Sequence, residues 1–234
     1  MADPFKTTRW SLIVAAAGDD AIASDALSEL CQIYWRPVYA YIRRRGHPPE
    51  ESADLTQACF LSLLEHRAFE RADPSRGRFR TYLLTSTHNF LLNARQHALS
   101  VRRGARTPHE SIDAIDAERY FVLNATDRES SPEAVFERQW ALRVTERALE
   151  RLRREYAKRR QEHVFQELRP FLTSDASPCE ESTSANLRSD AFRAALSRAR
   201  RRFGDALRAE IRETVDDDDQ IDDELRHLLR VLTG

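Results

Sequence analysis

Phe136, Trp140, Val144, Ala148, Leu152 and Tyr156 recur at intervals of four, behind the segment Ser131-Pro132-Glu133. At 3.6 residues per turn this spacing draws one apolar stripe along a helix, and Ser-Pro-Glu is a helix start signal. The period of two that a half-buried strand needs is nearly absent from the rest of the chain, and glycine is scarce, 6 in 234 residues. The fold class expected is therefore all α.

Other stretches repeat the pattern. From Ala26 to Arg45 the apolar positions are Leu27, Leu30, Cys31, Tyr34, Val38, Tyr41 and Ile42, with Pro37 expected to kink or split the helix. Gly46 to Pro49 closes it, and the next helix, Pro49 to His66, turns Ala53, Phe60 and Leu64 inward. Turn signals at Asp73-Pro74 and Gly77 precede a helix from Phe79 to Arg103, buried through Phe79, Leu83, Phe90, Leu91 and Ala94. Periodicity then weakens, apart from a short helix expected around Ala114 to Tyr120. Beyond the Phe136 stripe come helices over Glu162 to Leu172, Ser189 to Thr214 (Phe192, Ala195, Leu196, Ala199, Phe203) and Gln220 to Leu232. This predicts two helical domains, 1–103 and 133–214, a linker over 104–132, and an acidic extension with an amphipathic helix over 215–234.

Net charge is only −1, but the charges are segregated. From Arg71 to Arg106 they are Arg71, Asp73, Arg76, Arg78, Arg80, Arg95, Arg102, Arg103 and Arg106, whereas from Asp216 to Glu224 every one is acidic. Surfaces of opposite sign point to different partners. Cys31, Cys59 and Cys179 have no paired spacing, so neither a disulfide framework nor a zinc site follows. No signal peptide or bilayer-spanning run is legible, and a soluble protein of a reducing compartment is expected, with no membrane partner. No HExxH, GxSxG or phosphate-cradling glycine loop occurs, so the chain is read as a non-enzyme without cofactor or metal.

Two helices carry candidate binding chemistry. Asp54, Gln57, Ala58 and Leu61 share one face, and an acid and an amide around a leucine suit protein docking, although this face taken alone reads first as an ordinary solvated surface. In RGRFRTYLLTSTHNFLLNARQH, the arginines Arg76, Arg78, Arg80 and Arg95 attract phosphates, while Tyr82 and His88 could stack on unpaired bases. Asn89 could read a base edge through its paired donor and acceptor. For Tyr82 a core role is equally open.

The run LCQIYWRPVYAYIRRRGHPPEESADLTQACFLSLLEH, followed by FERADPSRGRFRTYLLTSTHNFLLNARQH, resembles the second conserved region of bacterial extracytoplasmic-function (ECF) sigma factors, RNA polymerase subunits of the sigma-70 family. The resemblance is closest to a subgroup with TRWSLI near the start and DDELRHLL near the end, matched by Thr8 to Leu12 and Asp222 to Leu229. It implies that Asp54, Gln57 and Leu61 dock on the clamp of core RNA polymerase. It also implies that the loop from Arg67 to Arg78 captures a flipped base of the downstream promoter element. Tyr82 stands at a frequent tryptophan and Asn89 at a matching asparagine. Ala58, Asn93 and Gln96 depart from a frequent acid, aspartate and arginine.

The resemblance further implies a helix-turn-helix that reads the upstream promoter element in the major groove, here Pro178 to Phe203. Its second helix turns Arg193, Ser197, Arg200 and Arg201 outward, toward phosphates or guanine edges. Asn186 stands at the turn where the family prefers glycine. Glu181 and Ala185 replace apolar positions of the first helix, so packing there is weak and a solvated basic helix stays open as an alternative.

Sigma activity is thus the function expected, with core RNA polymerase and double- and single-stranded promoter DNA as partners. The protein is expected to be cytoplasmic and monomeric when free, with room for an anti-sigma regulator. The rival reading is a sigma-like helical scaffold that binds polymerase or a partner but has lost upstream reading. The acidic run lacks the spacing of a calcium loop and is read as a solvated helix cap, or as a shield over the neighbouring arginines. The cluster Arg151, Arg153, Arg154, Lys158, Arg159 and Arg160 is read as a solvated face.

Overall fold

The structure is a computed structural model, and it describes residues 21–65, 78–100, 112–123, 130–173, 190–213, 215 and 218–233. Among these residues the regular elements are all helical. The chain divides into two compact units, Met1–Arg143 with Arg212–Gly234, and Val144–Ile211.

The first unit is built on α1, Ala21–Arg44, which packs on α2, Pro49–Glu65, and on α4, Ile112–Leu123; α2 also touches α3, Phe79–Ser100. Tyr34, Val38, Tyr41 and Ile42 are buried as their spacing predicts, but so are Ile33, Tyr39 and Ala40, so α1 is apolar on more than one side. Pro37 does not split α1. It withholds the N–H that would meet the carbonyl of Ile33, and burial of the surrounding side chains compensates. α1 ends at Gly46, whose φ of +96° is a left-handed conformation that glycine adopts without a Cβ clash.

The seam between α2 and α3 differs from the expected apolar one. Phe60 is buried, but the line facing inward is Ser52, Thr56, Cys59 and Leu63, and Ala53 is only half-buried. The hydroxyls enter the core because they bond back to their own turns. Thr56 Oγ1 donates to the Ser52 carbonyl at 2.6 Å, and Thr87 Oγ1 on α3 donates to that of Leu83 at 2.8 Å. Burial pushes the Cys59 thiol up to about 11. On α3, Phe79, Leu83 and Leu91 are buried, while Phe90 and Ala94 are only partly covered.

The expected linker, 104–132, contains α4, which is longer than the short helix anticipated. It belongs to the first unit because side chains outside the apolar period bind it to α1. Arg43 pairs with Glu118, and the guanidinium of Arg36 lies 3.8 Å from the ring centre of Tyr120.

α5, Pro132–Lys158, starts as its sequence predicts: Ser131 Oγ accepts the Ala134 N–H at 3.1 Å. Its whole stripe, Phe136 through Tyr156, is buried. The second unit takes the C-terminal part of α5, then α6, Glu162–Leu168, a 3-10 turn over Arg169–Phe171, and α7, Asp190–Arg212. α7 buries Leu196, Ala199, Phe203 and Ile211, and Glu210 lies inward, accepting Arg147 Nε at 2.8 Å and Arg151 Nε at 3.1 Å. The terminal helix α8, Ile221–Thr233, falls within the first unit. Its buried residues, Ile221, Glu224 and Leu228, include an acid that pairs with Arg80.

Candidate partner and nucleic-acid interface

Because Ser52, Thr56, Cys59 and Leu63 turn α2 inward along one side, the other side faces solvent. Asp54, Gln57 and Leu61 are all exposed there, with Leu61 at 49%, and Ala58 is half-buried beside them. An exposed leucine of that extent, flanked by a carboxylate and an amide, is an apolar centre with a polar rim.

α3 distributes its candidates unevenly. Arg76 lies outside the described residues. Arg78 precedes the first turn and pairs with Glu224 of α8. Arg80 is only 5% exposed, in contrast to the exposed phosphate contact expected from charge alone. Its Nε lies 2.9 Å from Glu137 Oε2, its Nη1 meets Glu224, and its guanidinium stacks over the Trp140 ring at 4.6 Å. Two carboxylates and an indole satisfy this cation inside the unit, so it anchors α3 to α5 and α8. Glu137 also receives His227 Nε2 at 2.8 Å.

Tyr82 is half-buried, its ring 6.3 Å from that of Phe79. His88 is half-buried as well: its Nδ1 lies 2.7 Å from Arg45 Nη2 and 3.2 Å from the Tyr41 hydroxyl. A guanidinium can only donate, so Nδ1 is the accepting nitrogen in this arrangement. Asn89 and Arg95 are exposed. Around Asn89 the outward face of α3 continues as Thr81, Thr85 and Asn93, a row of hydroxyls and amides that charge counting overlooked. The signal was present as an interval of four between small polar residues.

The second unit presents another basic face. Arg193, Ser197, Arg200 and Arg201 of α7 are exposed, opposite the buried Leu196, Ala199 and Phe203. Arg193 Nη2 contacts Asp190 Oδ1 at 2.5 Å, and Arg200 reaches the Phe171 carbonyl through Nε and Nη2 at 3.3 and 3.1 Å. Ser197 stands between them, and Arg201 follows Arg200. The first helix of the expected helix-turn-helix, and Asn186 at its turn, lie outside the described residues.

Half of the basic cluster at the end of α5 is engaged in ion pairs. Arg153 pairs with Glu150 and Glu162, Arg154 with Glu150, and Arg151 with Glu210. The hydrogen bonds from Arg153, followed by those from Arg154, hold the Glu150 carboxyl down at about 2. Lys158, Arg159 and Arg160 are exposed. Among the described residues no group of three or more His, Cys, Asp or Glu side chains is placed to hold a metal ion. No described helix is long and apolar enough to cross a membrane.

No curated protein and no solved structure matches the chain. A family model does match: residues 30–99, which run from the buried part of α1 through α2 and α3, correspond to Sigma-70 region 2. The segment that exposes Asp54, Gln57 and Leu61 on one helix and Asn89 and Arg95 on the next is thus similar to Sigma-70 region 2.

Proposed function

We propose that this chain is a bacterial RNA polymerase sigma factor of the ECF type, acting in the cytoplasm to direct promoter recognition and initiation. The carrying observation is that the region 2 match falls on the helices whose outward residues have docking and base-contacting chemistry. Asp54, Gln57 and Leu61 dock α2 on the clamp helices of core polymerase, with Leu61 as the apolar centre. The exposed row on α3, with Asn89 and Arg95, follows the melted strand of the downstream element. Tyr82 and His88 border that row, and the segment 67–78, read as a loop from its sequence and outside the described residues up to 77, receives the flipped base. Extracting that base costs a few kcal/mol, which stacking and pocket contacts must offset.

α7 is the recognition helix for the upstream element, with Arg193, Ser197, Arg200 and Arg201 toward the major groove. The free protein is monomeric and is a target for an anti-sigma regulator. Run-off transcription with core polymerase tests the reading: initiation that depends on the added chain is the expected result. Polymerase binding without initiation would instead indicate a sigma-like scaffold. Two observations favour that second reading: the first helix of the helix-turn-helix lacks an apolar stripe in sequence, and Arg80 is buried.

A further inference from the structure

α8 carries an acid on the face it buries. Ile221, Glu224 and Leu228 lie on one stripe and are 5%, 1% and 1% exposed, so Glu224 stands between two apolar side chains. Its carboxylate pairs with both Arg78 and Arg80 at the start of α3. The two arginines differ in what else they have. Arg80 also holds Glu137 and stacks on Trp140, whereas Arg78, with its side chain 34% exposed, borders solvent.

Burying an ion pair rarely stabilises a fold more than an apolar contact of the same size, because desolvation of both partners offsets their attraction. Packing alone therefore does not explain an acid on this stripe. Its effect on the arginines does. A carboxylate offers a guanidinium the same pair of accepting oxygens that a phosphate offers. Asp222 and Asp223 are exposed in the first turn of α8, with Asp223 paired to Arg226 at 2.7 Å.

We propose that α8 is an intramolecular mask: Glu224 occupies the place on Arg78 that a phosphate of single-stranded DNA takes, and α8 and DNA compete for it. The proposal rests on the reading of α3 as the DNA-contacting helix. Arg80 stays on Glu137 and Trp140 when α8 leaves, so the mask governs Arg78 and not the anchor. α8 is also held by the buried Ile221 and Leu228, by His227, which meets Glu137 at 2.8 Å and lies 6.1 Å from the Trp140 ring, and by Arg138 Nη1, which donates to the Val231 carbonyl at 3.3 Å.

The test uses the full chain and a mixed-sequence single-stranded oligonucleotide of about 20 nucleotides, a length that covers at least one binding site. Glu224→Gln keeps the shape and removes the charge. It is expected to bind the oligonucleotide several-fold more tightly, with a salt dependence steeper by about one phosphate contact. In the unaltered chain, saturating oligonucleotide is expected to speed amide exchange across Ile221–Thr233. Equal or weaker binding by a folded Glu224→Gln chain overturns the mask. If that variant loses its helical content, exchange in the unaltered chain decides, and unchanged exchange at saturation overturns it. Failure of the underlying reading has a separate signature: neither chain binds the oligonucleotide at any salt, and the mask falls with it.

Discussion

Arg43 and Glu118 meet side-on between α1 and α4, Nε to Oε2 at 2.8 Å and Nη2 to Oε1 at 2.9 Å, and the Tyr39 hydroxyl donates to the same Oε2 at 2.6 Å. Three donors on one carboxylate make α4 part of the first unit. The Arg43 hydrogen bonds hold the Glu118 carboxyl below the usual range, against the opposing effect of burial. The folded value is thus lower than the unfolded one. The contribution is complete above the ordinary glutamate range and is lost as pH falls through the lowered folded value. Glu118→Ala should cost about 2 kcal/mol at neutral pH, as loss of charge-assisted hydrogen bonds does. Chemical denaturation at neutral and acid pH checks this, and the variant should lose part of the acid sensitivity.

Arg80 and Arg95 lie on the same helix and should behave oppositely. Arg80→Ala leaves Glu224 buried and without its inner partner, so a loss of about 3–5 kcal/mol is expected in thermal or denaturant unfolding. Arg95→Ala, at an exposed site, should change stability by less than about 0.5 kcal/mol. It should instead weaken single-stranded DNA binding and flatten its salt dependence by about one contact.

Leu61→Glu places a charge at the centre of the proposed docking face. Binding to core polymerase should fall by about tenfold or more, equivalent to about 1.4 kcal/mol, and Gln57→Ala should weaken it less. Both positions are exposed, so circular dichroism should show unchanged helical content. Full retention of polymerase binding by Leu61→Glu would remove α2 as the docking helix.

Tyr82→Ala should impair promoter opening more than duplex binding, because stacking is available only to unpaired bases. A loss of about 1–3 kcal/mol in binding melted template is expected. Permanganate footprinting of the opened region, set against a gel-shift on closed duplex, measures the two separately. Equal loss in both would reassign Tyr82 to packing on Phe79.

Much of the fold was legible from local chemistry. The Phe136 to Tyr156 stripe, the Ser131 cap and the Gly46 stop each act within one or two turns, so sequence spacing alone determines them. The outward side of α2 was legible for the same reason. The polar seam of Ser52, Thr56 and Thr87 was harder to see, because a hydroxyl reads as exposed until its bond to its own turn is known. The helical class and the stretch from 30 to 99 were therefore settled by the order of residues.

Tertiary structure decided which charges are available. Arg78 and Arg80 look alike in sequence, and Glu224 lies 144 residues beyond Arg80. A count of arginines along α3 cannot register a carboxylate that returns from the other end of the chain. Nor can apolar periodicity weigh Arg43 against Glu118, a pair separated by 75 residues. Periodicity reports which face of a helix is buried; only packing brings together distant charges whose burial requires a partner.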